Sequence, residues 1–128
     1  MTDIRNIQRR DLIALSEQFP EPVPDYFETM YIDHLQQLCQ VWVALDTTSE
    51  DAPHYLGYVR VVWESGYTQF WRRNIPEITD LYVLEAMRGQ GIGRSLIASC
   101  EHVVRANGQA HIGISIEQIS GHERLQAF

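Results

Sequence analysis

The chain has 128 residues, enough for one domain with a buried core, and apolar residues make up 45% of it. Its formal net charge is −7 and all ten basic residues are arginine, so it lacks the basic surface of a nucleic-acid-binding protein. Two cysteines, Cys39 and Cys100, are too few for a disulfide framework and favour a reduced, cytoplasmic setting. No apolar run is long enough to span a membrane.

The first third of the sequence predicts a strand, two helices and a second strand. A short strand over residues 4–8 precedes a helix over residues 9–19, which a proline-rich segment ends. Asp25 is positioned to cap the second helix, whose apolar stripe includes His34. On that stripe a packed, hydrogen-bonded histidine is expected rather than a ligand. Residues 41–45 then form a candidate buried strand.

The remaining elements alternate between strands, loops and one long amphipathic helix. Each is bounded by turn residues, and the apolar period distinguishes strands from helices. The elements are a loop at 46–53, a strand at 55–63, an aromatic loop at 66–76, a strand at 77–84, a glycine-rich turn at 88–93, a helix with its apolar stripe at 92–104, a strand at 112–116 and a helix starting at Ser120.

This order predicts a single domain over residues 1–128 of the α/β (α+β) class. Helices occur both before and after the central strands, so they must cover both faces of a mixed sheet. No internal repeat, low-complexity stretch or linker divides the chain.

The segment most informative about function is a predicted strand followed by a glycine-rich turn and the start of a helix. Glycine lets a backbone approach a ligand closely, and the first N–H groups of a helix favour an anion. A Walker A loop needs a lysine, which the chain lacks. A dinucleotide-binding fingerprint needs a glycine where Leu96 stands. The spacing that fits is Arg-x-x-Gly-x-Gly, met by Arg88, Gly91 and Gly93.

The run LYVLEAMRGQGIGRSL at residues 81–96 resembles the acetyl-CoA-binding motif of the GNAT superfamily of N-acetyltransferases. The resemblance implies a mostly antiparallel central sheet flanked by helices, with acetyl-CoA as cosubstrate. It also implies that backbone amides of the turn hold the pyrophosphate and that the pantetheine arm lies beside the preceding strand. The implied cofactor-binding residues are Leu81, Tyr82, Val83, Arg88, Gly89, Gln90, Gly91, Ile92, Gly93, Arg94 and Ser95.

The same resemblance implies direct transfer of an acetyl group from the thioester to a primary amine of a small molecule or peptide. A base must first remove a proton from the amine, and Glu77 and Asp80 are the candidates on the strand beside the cofactor. Glu64 and His111 are weaker alternatives. On a regular strand Glu77 and Asp80 cannot face the same side, because side chains alternate. A backbone N–H near Tyr82 or Val83 is the implied oxyanion donor.

Three aromatic residues before this strand, Tyr67, Phe70 and Trp71, are candidates for a wall of the acceptor pocket. A hydrophobic plug under a loop is an equally good interpretation of them. Gly113 and Ser115 are small residues that suit a gap between splayed strands, or ordinary packing.

The sequence departs from the family pattern after the last predicted helix. The family usually continues into two more strands, whereas this chain ends at Phe128. His122 stands where the family often has an asparagine, and the tyrosine that protonates the leaving thiolate has no counterpart. We expect either a shortened chain or a homodimer in which partners cover the sheet edge. A non-catalytic acyl-CoA-binding module is the alternative function.

Overall fold

A computed structural model describes residues 2–48 and 54–114 of the chain. Its five strands form one sheet in the order β1-β2-β3-β4-β5, antiparallel except for the parallel pair β4 and β5. The strands are β1 Thr2–Asn6, β2 Cys39–Asp46, β3 His54–Val62, β4 Glu77–Val83 and β5 Gly113–Ile114. The helices are α1 Leu12–Gln18, α2 Tyr26–Leu35, α3 Thr68–Arg72 and α4 Ile92–Ala106, with 3₁₀ turns at Arg9–Asp11 and Glu85–Met87.

Two hydrophobic clusters cover opposite faces of this sheet, because alternate residues of each strand point to opposite sides. On one face, α1 and α2 pack over the alternate β2 residues Val41 and Val43. On the other face, α4 packs over Trp42 and Ala44. The expected fold class, a mixed and mostly antiparallel sheet with helices on both faces, is confirmed.

The long helix α4 forms as its sequence pattern predicts. Ile92, Leu96, Cys100 and Val104 recur every four residues, and each is at most 6% exposed. The helix ends before Gly108, whose φ of +84° is the left-handed conformation that glycine adopts readily after a helix.

Several element bounds differ from the sequence expectations. The first strand starts at Thr2, and the first predicted helix is a 3₁₀ turn followed by α1. The prediction of a plain loop over residues 66–76 is wrong in part, because five of its residues form α3. The predicted strand at 112–116 is described only as β5, and its remainder and the helix from Ser120 lie outside the described residues.

A β-bulge in β4 changes which of its side chains share a face. Asp80 pairs with Arg60 of β3, whereas Ile78 pairs with the next β3 residue, Val61, so one extra β4 residue stands between them. Glu77 pairs with Val62. Because Arg60 and Val62 lie two residues apart on β3, their partners Asp80 and Glu77 lie on the same face of the sheet, the face covered by α2.

The N-terminal strand is anchored by a buried carboxylate. Asp11 is 0% exposed and accepts two hydrogen bonds of 2.8 Å from the Arg5 guanidinium. It also accepts the Tyr55 hydroxyl and, at 2.7 Å, the Gln8 N–H. Burial alone would raise the pKa of Asp11, but the hydrogen bonds outweigh it and lower the pKa below its usual range. The cluster therefore ties β1, the 3₁₀ turn and β3 together.

His34 is a packed, hydrogen-bonded side chain, as its place on the α2 stripe predicts. Its Nδ1 accepts the Val41 N–H at 3.1 Å, and burial lowers its pKa. Across residues 2–48 and 54–114, no helix has the length and apolar character needed to cross a membrane.

Candidate functional site

The glycine-rich turn follows β4 after the 3₁₀ turn Glu85–Met87 and leads into the N-terminus of α4. Gly89 and Gly91 have φ values of +82° and +87°, so both need a conformation that other residues adopt only with strain. A Cβ built on either glycine meets no described heavy atom within 4 Å. These glycines therefore border open space rather than tightly packed protein.

The N-terminus of α4 is arranged to bind an anion through its backbone. Gly91 is the residue before the helix, and no described side chain caps this end. The first backbone hydrogen bond of the helix runs from the Ser95 N–H to the Gly91 carbonyl at 3.1 Å. The N–H groups before Ser95 thus point out of the helix end, where the helix dipole favours negative charge. Ile92 and Gly93 are buried, whereas Arg94 and Ser95 are exposed at this end.

Arg88 lies between this turn and the end of β4. Its Nε donates to the Val83 carbonyl at 2.9 Å, and its guanidinium lies 5.5 Å from the centre of the Tyr82 ring. Tyr82 in turn stacks on Tyr58, with ring centres 6.0 Å apart. The structure therefore brings Arg88 against Tyr82 and Val83 at the end of the strand, with Gln90 exposed between the two glycines.

Within the described residues, β5 pairs with only the first two residues of β4. The paired residues are Glu77 with Gly113 and Ile78 with Ile114. Leu81 and Val83 lie in the later part of β4, beyond these two pairs, and pair with Val59 and Gly57 of β3.

Glu77 is a buried carboxylate at the start of β4. It is 3% exposed, and the Ser65 hydroxyl donates to its Oε1 at 2.7 Å. Ser65 is itself only 6% exposed, and its Oγ also accepts the Tyr67 N–H at 2.9 Å. A buried carboxylate costs free energy unless it is hydrogen-bonded, so the segment after β3 is folded around this group.

Asp80 is held by the cation of Arg60. The Arg60 guanidinium forms an ion pair with it and donates from Nε to Oδ2 at 2.7 Å. The Tyr26 hydroxyl donates to Oδ1 and the Thr79 hydroxyl to Oδ2, at 2.7 and 2.8 Å. Burial, with the nearby Tyr58 and Asp80, raises the pKa of Tyr26 far above its usual range, so it remains a donor. The cluster links α2 to β4.

The three aromatic candidates before β4 separate into different environments. Phe70 lies against Gly113: a Cβ built on that glycine would come within 2.5 Å of the Phe70 ring. Phe70 therefore fills space beside β5, and close packing accounts for the small residue there. Tyr67 and Trp71 are 42% and 60% exposed. Ser115, the other small residue predicted to suit a gap, and His122 lie outside the described residues.

A cavity of about 290 Å³ lies beside this aromatic segment, and it is lined by Glu64, Ser65, Gly66, Thr68 and Trp71. It thus includes one of the predicted acceptor-pocket residues and one of the weaker base candidates. His111, the other weak candidate, is exposed just before β5.

A larger groove, of about 700 Å³, lies at the other end of α4. Its lining includes Cys39 and Gln40 at the start of β2 and Ala106 and Asn107 at the end of α4. The C-terminus of a helix disfavours anions, so this groove does not suit a diphosphate despite its size.

The sequence pattern does not predict that Ser65, Tyr26 and Arg60 are partners of the two carboxylates. Arg60 could have been noticed, because a charged residue in a strand otherwise rich in β-branched and aromatic residues indicates a polar partner. Ser65 and Tyr26 had none, because their partners are 12 and 54 residues away in the sequence.

A family model described as "Acetyltransferase (GNAT) family" matches residues 1–128. The sequence has no significant match among curated proteins.

Several solved structures share the fold of this chain. The aminoglycoside N-acetyltransferase AAC(6')-Iy in complex with CoA matches with a TM-score of 0.76 and 14% identity, over 98% of this chain and 84% of that one. An acetyltransferase from Clostridium acetobutylicum with acetyl-CoA matches with a TM-score of 0.67 and 14% identity, over 98% and 87%. A ribosomal-protein-alanine N-acetyltransferase from Brucella melitensis matches with a TM-score of 0.63 and 17% identity, over 94% and 86%.

Proposed function

Because the chain belongs to the GNAT acetyltransferase family, we propose that it transfers an acetyl group from acetyl-CoA to a primary amine by direct attack. The family and the fold agree with acetyl-CoA as cosubstrate and with acyl transfer in general. One observation carries the proposal: open, left-handed glycines lie at the N-terminus of α4, which no described side chain caps, and this turn follows a strand that begins with a buried carboxylate.

Our proposal assigns diphosphate binding to the turn at residues 88–95. Backbone N–H groups at the start of α4 would bind the phosphate oxygens, and Gly89 and Gly91 leave room for close approach. Arg94 lies exposed at the same helix end, where a cation adds charge-assisted hydrogen bonds. The pantetheine arm would lie beside Leu81, Tyr82 and Val83, and acetyl-CoA supplies the activated acyl group there.

We assign the base to Glu77 and a positioning role to Asp80. The amine must lose a proton before it can attack, and a positioned carboxylate performs such transfers. Asp80 is poorly suited, because the Arg60 guanidinium competes for the oxygen lone pairs that would take the proton. Glu77 accepts a hydrogen bond from the neutral hydroxyl of Ser65. The bulge places both carboxylates on one face, so Asp80 can orient the α2 side of the acceptor site.

The proposed function is tested by measuring CoA binding and the release of thiol from acetyl-CoA. Calorimetry should show CoA binding, and free thiol should be released from acetyl-CoA with at least one member of a panel of polyamines, aminoglycosides, amino acids and peptide N-termini. Binding without thiol release across the panel would favour a non-catalytic acyl-CoA-binding module, and the absence of CoA binding would contradict both functions.

Glu77→Gln tests the base directly. We expect kcat to fall by about 10²-fold or more, with unchanged affinity for CoA. Glu17→Gln, at an exposed position of α1, is the matched control and should leave kcat unchanged. A Glu77→Gln variant with the kcat of the parent protein would contradict the assignment.

We also propose a homodimer, supported by Ile114 of the last described strand, which is 37% exposed. Light scattering should give twice the chain mass of 14.8 kDa. A monomer at working concentration would contradict the dimer without affecting the proposed reaction.

A further inference from the structure

Ser65 lies between the 290 Å³ cavity and the buried carboxylate of Glu77. Ser65 lines that cavity, and its hydroxyl donates a hydrogen bond of 2.7 Å to Glu77 Oε1. Glu77 does not line the cavity, and only 3% of it is exposed. Ser65 therefore connects the cavity to Glu77 through a hydrogen bond.

The hydrogen bonds of Ser65 suit such a transfer. A hydroxyl group has one proton to donate and two lone pairs that accept. The proton of Ser65 is directed at Glu77, and one lone pair accepts the Tyr67 N–H at 2.9 Å. Within residues 2–48 and 54–114 no second donor to Ser65 Oγ is found, which leaves one lone pair for a donor in the cavity. The Tyr67 contact also holds the hydroxyl in place, since it comes from the adjoining backbone.

The rim of the cavity suits a cation. Glu64 contributes an exposed carboxylate, and Trp71 contributes an indole ring that is 60% exposed. A carboxylate attracts an ammonium group, and an indole face adds a cation–π interaction of about 0.5–1 kcal/mol at an exposed site. Gly66 also lines the cavity, and a Cβ built on it meets no described heavy atom within 4 Å, so there is space for a larger side chain at this position.

We propose that the cavity takes the ammonium group of the acceptor and that Ser65 relays its proton to Glu77. An N–H of the ammonium donates to Ser65 Oγ. As that N–H bond breaks and a new Oγ–H bond forms, the original Ser65 O–H bond breaks and its proton binds Glu77 Oε1. The ammonium becomes a neutral amine, the carboxylate becomes a carboxylic acid, and Ser65 is unchanged. Glu77 later returns the proton to solvent. This inference rests on the proposed function.

Ser65→Ala removes the relay while leaving the glycine turn and Glu77 in place. We expect kcat to fall by about 10-fold to 100-fold, with unchanged affinity for CoA in calorimetry and a changed solvent isotope effect on kcat. Ser65→Thr, which keeps a hydroxyl, should regain most of the lost kcat. Ser99→Ala, which removes a hydroxyl from α4, is the control and should match the parent protein.

Gly66→Leu tests the cavity separately, because it fills the space and leaves the Ser65 hydroxyl in place. The KM for the amine should rise at least tenfold while the affinity for CoA stays the same. Calorimetric titration of the amine without acetyl-CoA should show the same weakening, which gives a result independent of activity.

Two outcomes would overturn the relay. One is a Ser65→Ala variant with the kcat and solvent isotope effect of the parent protein, and the other is a Gly66→Leu variant with unchanged amine binding. Failure of the parent protein to release thiol with any amine would instead contradict the proposed function, so the two failures are distinguishable.

Discussion

Alanine at Gly91 separates backbone strain from ligand binding, because α4 carries a matched glycine at its other end. Gly91 and Gly108 have φ values of +87° and +84°, and a Cβ built on either meets no described heavy atom within 4 Å. Alanine at either position therefore costs only left-handed strain, about 1–2 kcal/mol. For a domain of this size, each variant should lose about 3–8 °C in Tm.

Affinity for CoA should distinguish the two variants. We place the diphosphate in the open space around Gly91, so a methyl group there should weaken CoA binding at least tenfold, which is about 1.4 kcal/mol. Gly108 lies at the far end of the helix, and its alanine variant should bind CoA as the parent protein does. Calorimetry at a temperature where both variants are folded measures the difference. Equal affinities, with equal losses in Tm, would refute backbone binding of the diphosphate at this turn.

Three further predictions concern stability and reactivity. Asp11→Asn should destabilise the fold, toward the lower end of the roughly 3–5 kcal/mol expected for breaking a buried pair, because Arg5 is partly exposed. Folding lowers the pKa of Asp11, so its contribution to the free energy of unfolding is complete above the unfolded value of 3.8 and is lost as pH falls through the lower folded value. Urea unfolding of the parent protein and the variant from pH 7 to pH 2 should therefore show their difference in stability becoming smaller. A difference that stays constant over this range would contradict the prediction. Gly113→Ala should lower the free energy of unfolding by about 1–3 kcal/mol, because the new Cβ would lie 2.5 Å from the Phe70 ring. Adding Phe70→Leu to the same molecule should recover part of this stability. If the losses of stability from the two substitutions are additive instead, the clash is ruled out. Burial raises the pKa of Cys100 to about 12, so a thiol reagent at pH 8 should modify this residue only as the protein unfolds. Rapid modification of both Cys39 and Cys100 in the folded protein would argue against this burial.

The regular alternation of side chains along a strand does not predict that Glu77 and Asp80 lie on the same face of the sheet. Their spacing of three residues predicts opposite faces on a regular strand. The structure places them on one face, because the bulge adds a residue to β4 opposite the Arg60–Val61 step of β3. A bulge depends on the pairing of two strands, and nothing in the local sequence of β4 marks its position.

The helix α4 and the glycine turn before it were determined by the sequence alone. These features depend on contacts within a few residues: a four-residue apolar period, and glycines that can adopt positive φ. Only the tertiary structure decided the partners of the buried polar groups. Tyr26 reaches Asp80 across 54 residues of sequence, and Ser65 reaches Glu77 across 12. A buried carboxylate must find donors wherever the packed elements bring them, and that proximity exists only after the sheet and its helices have assembled.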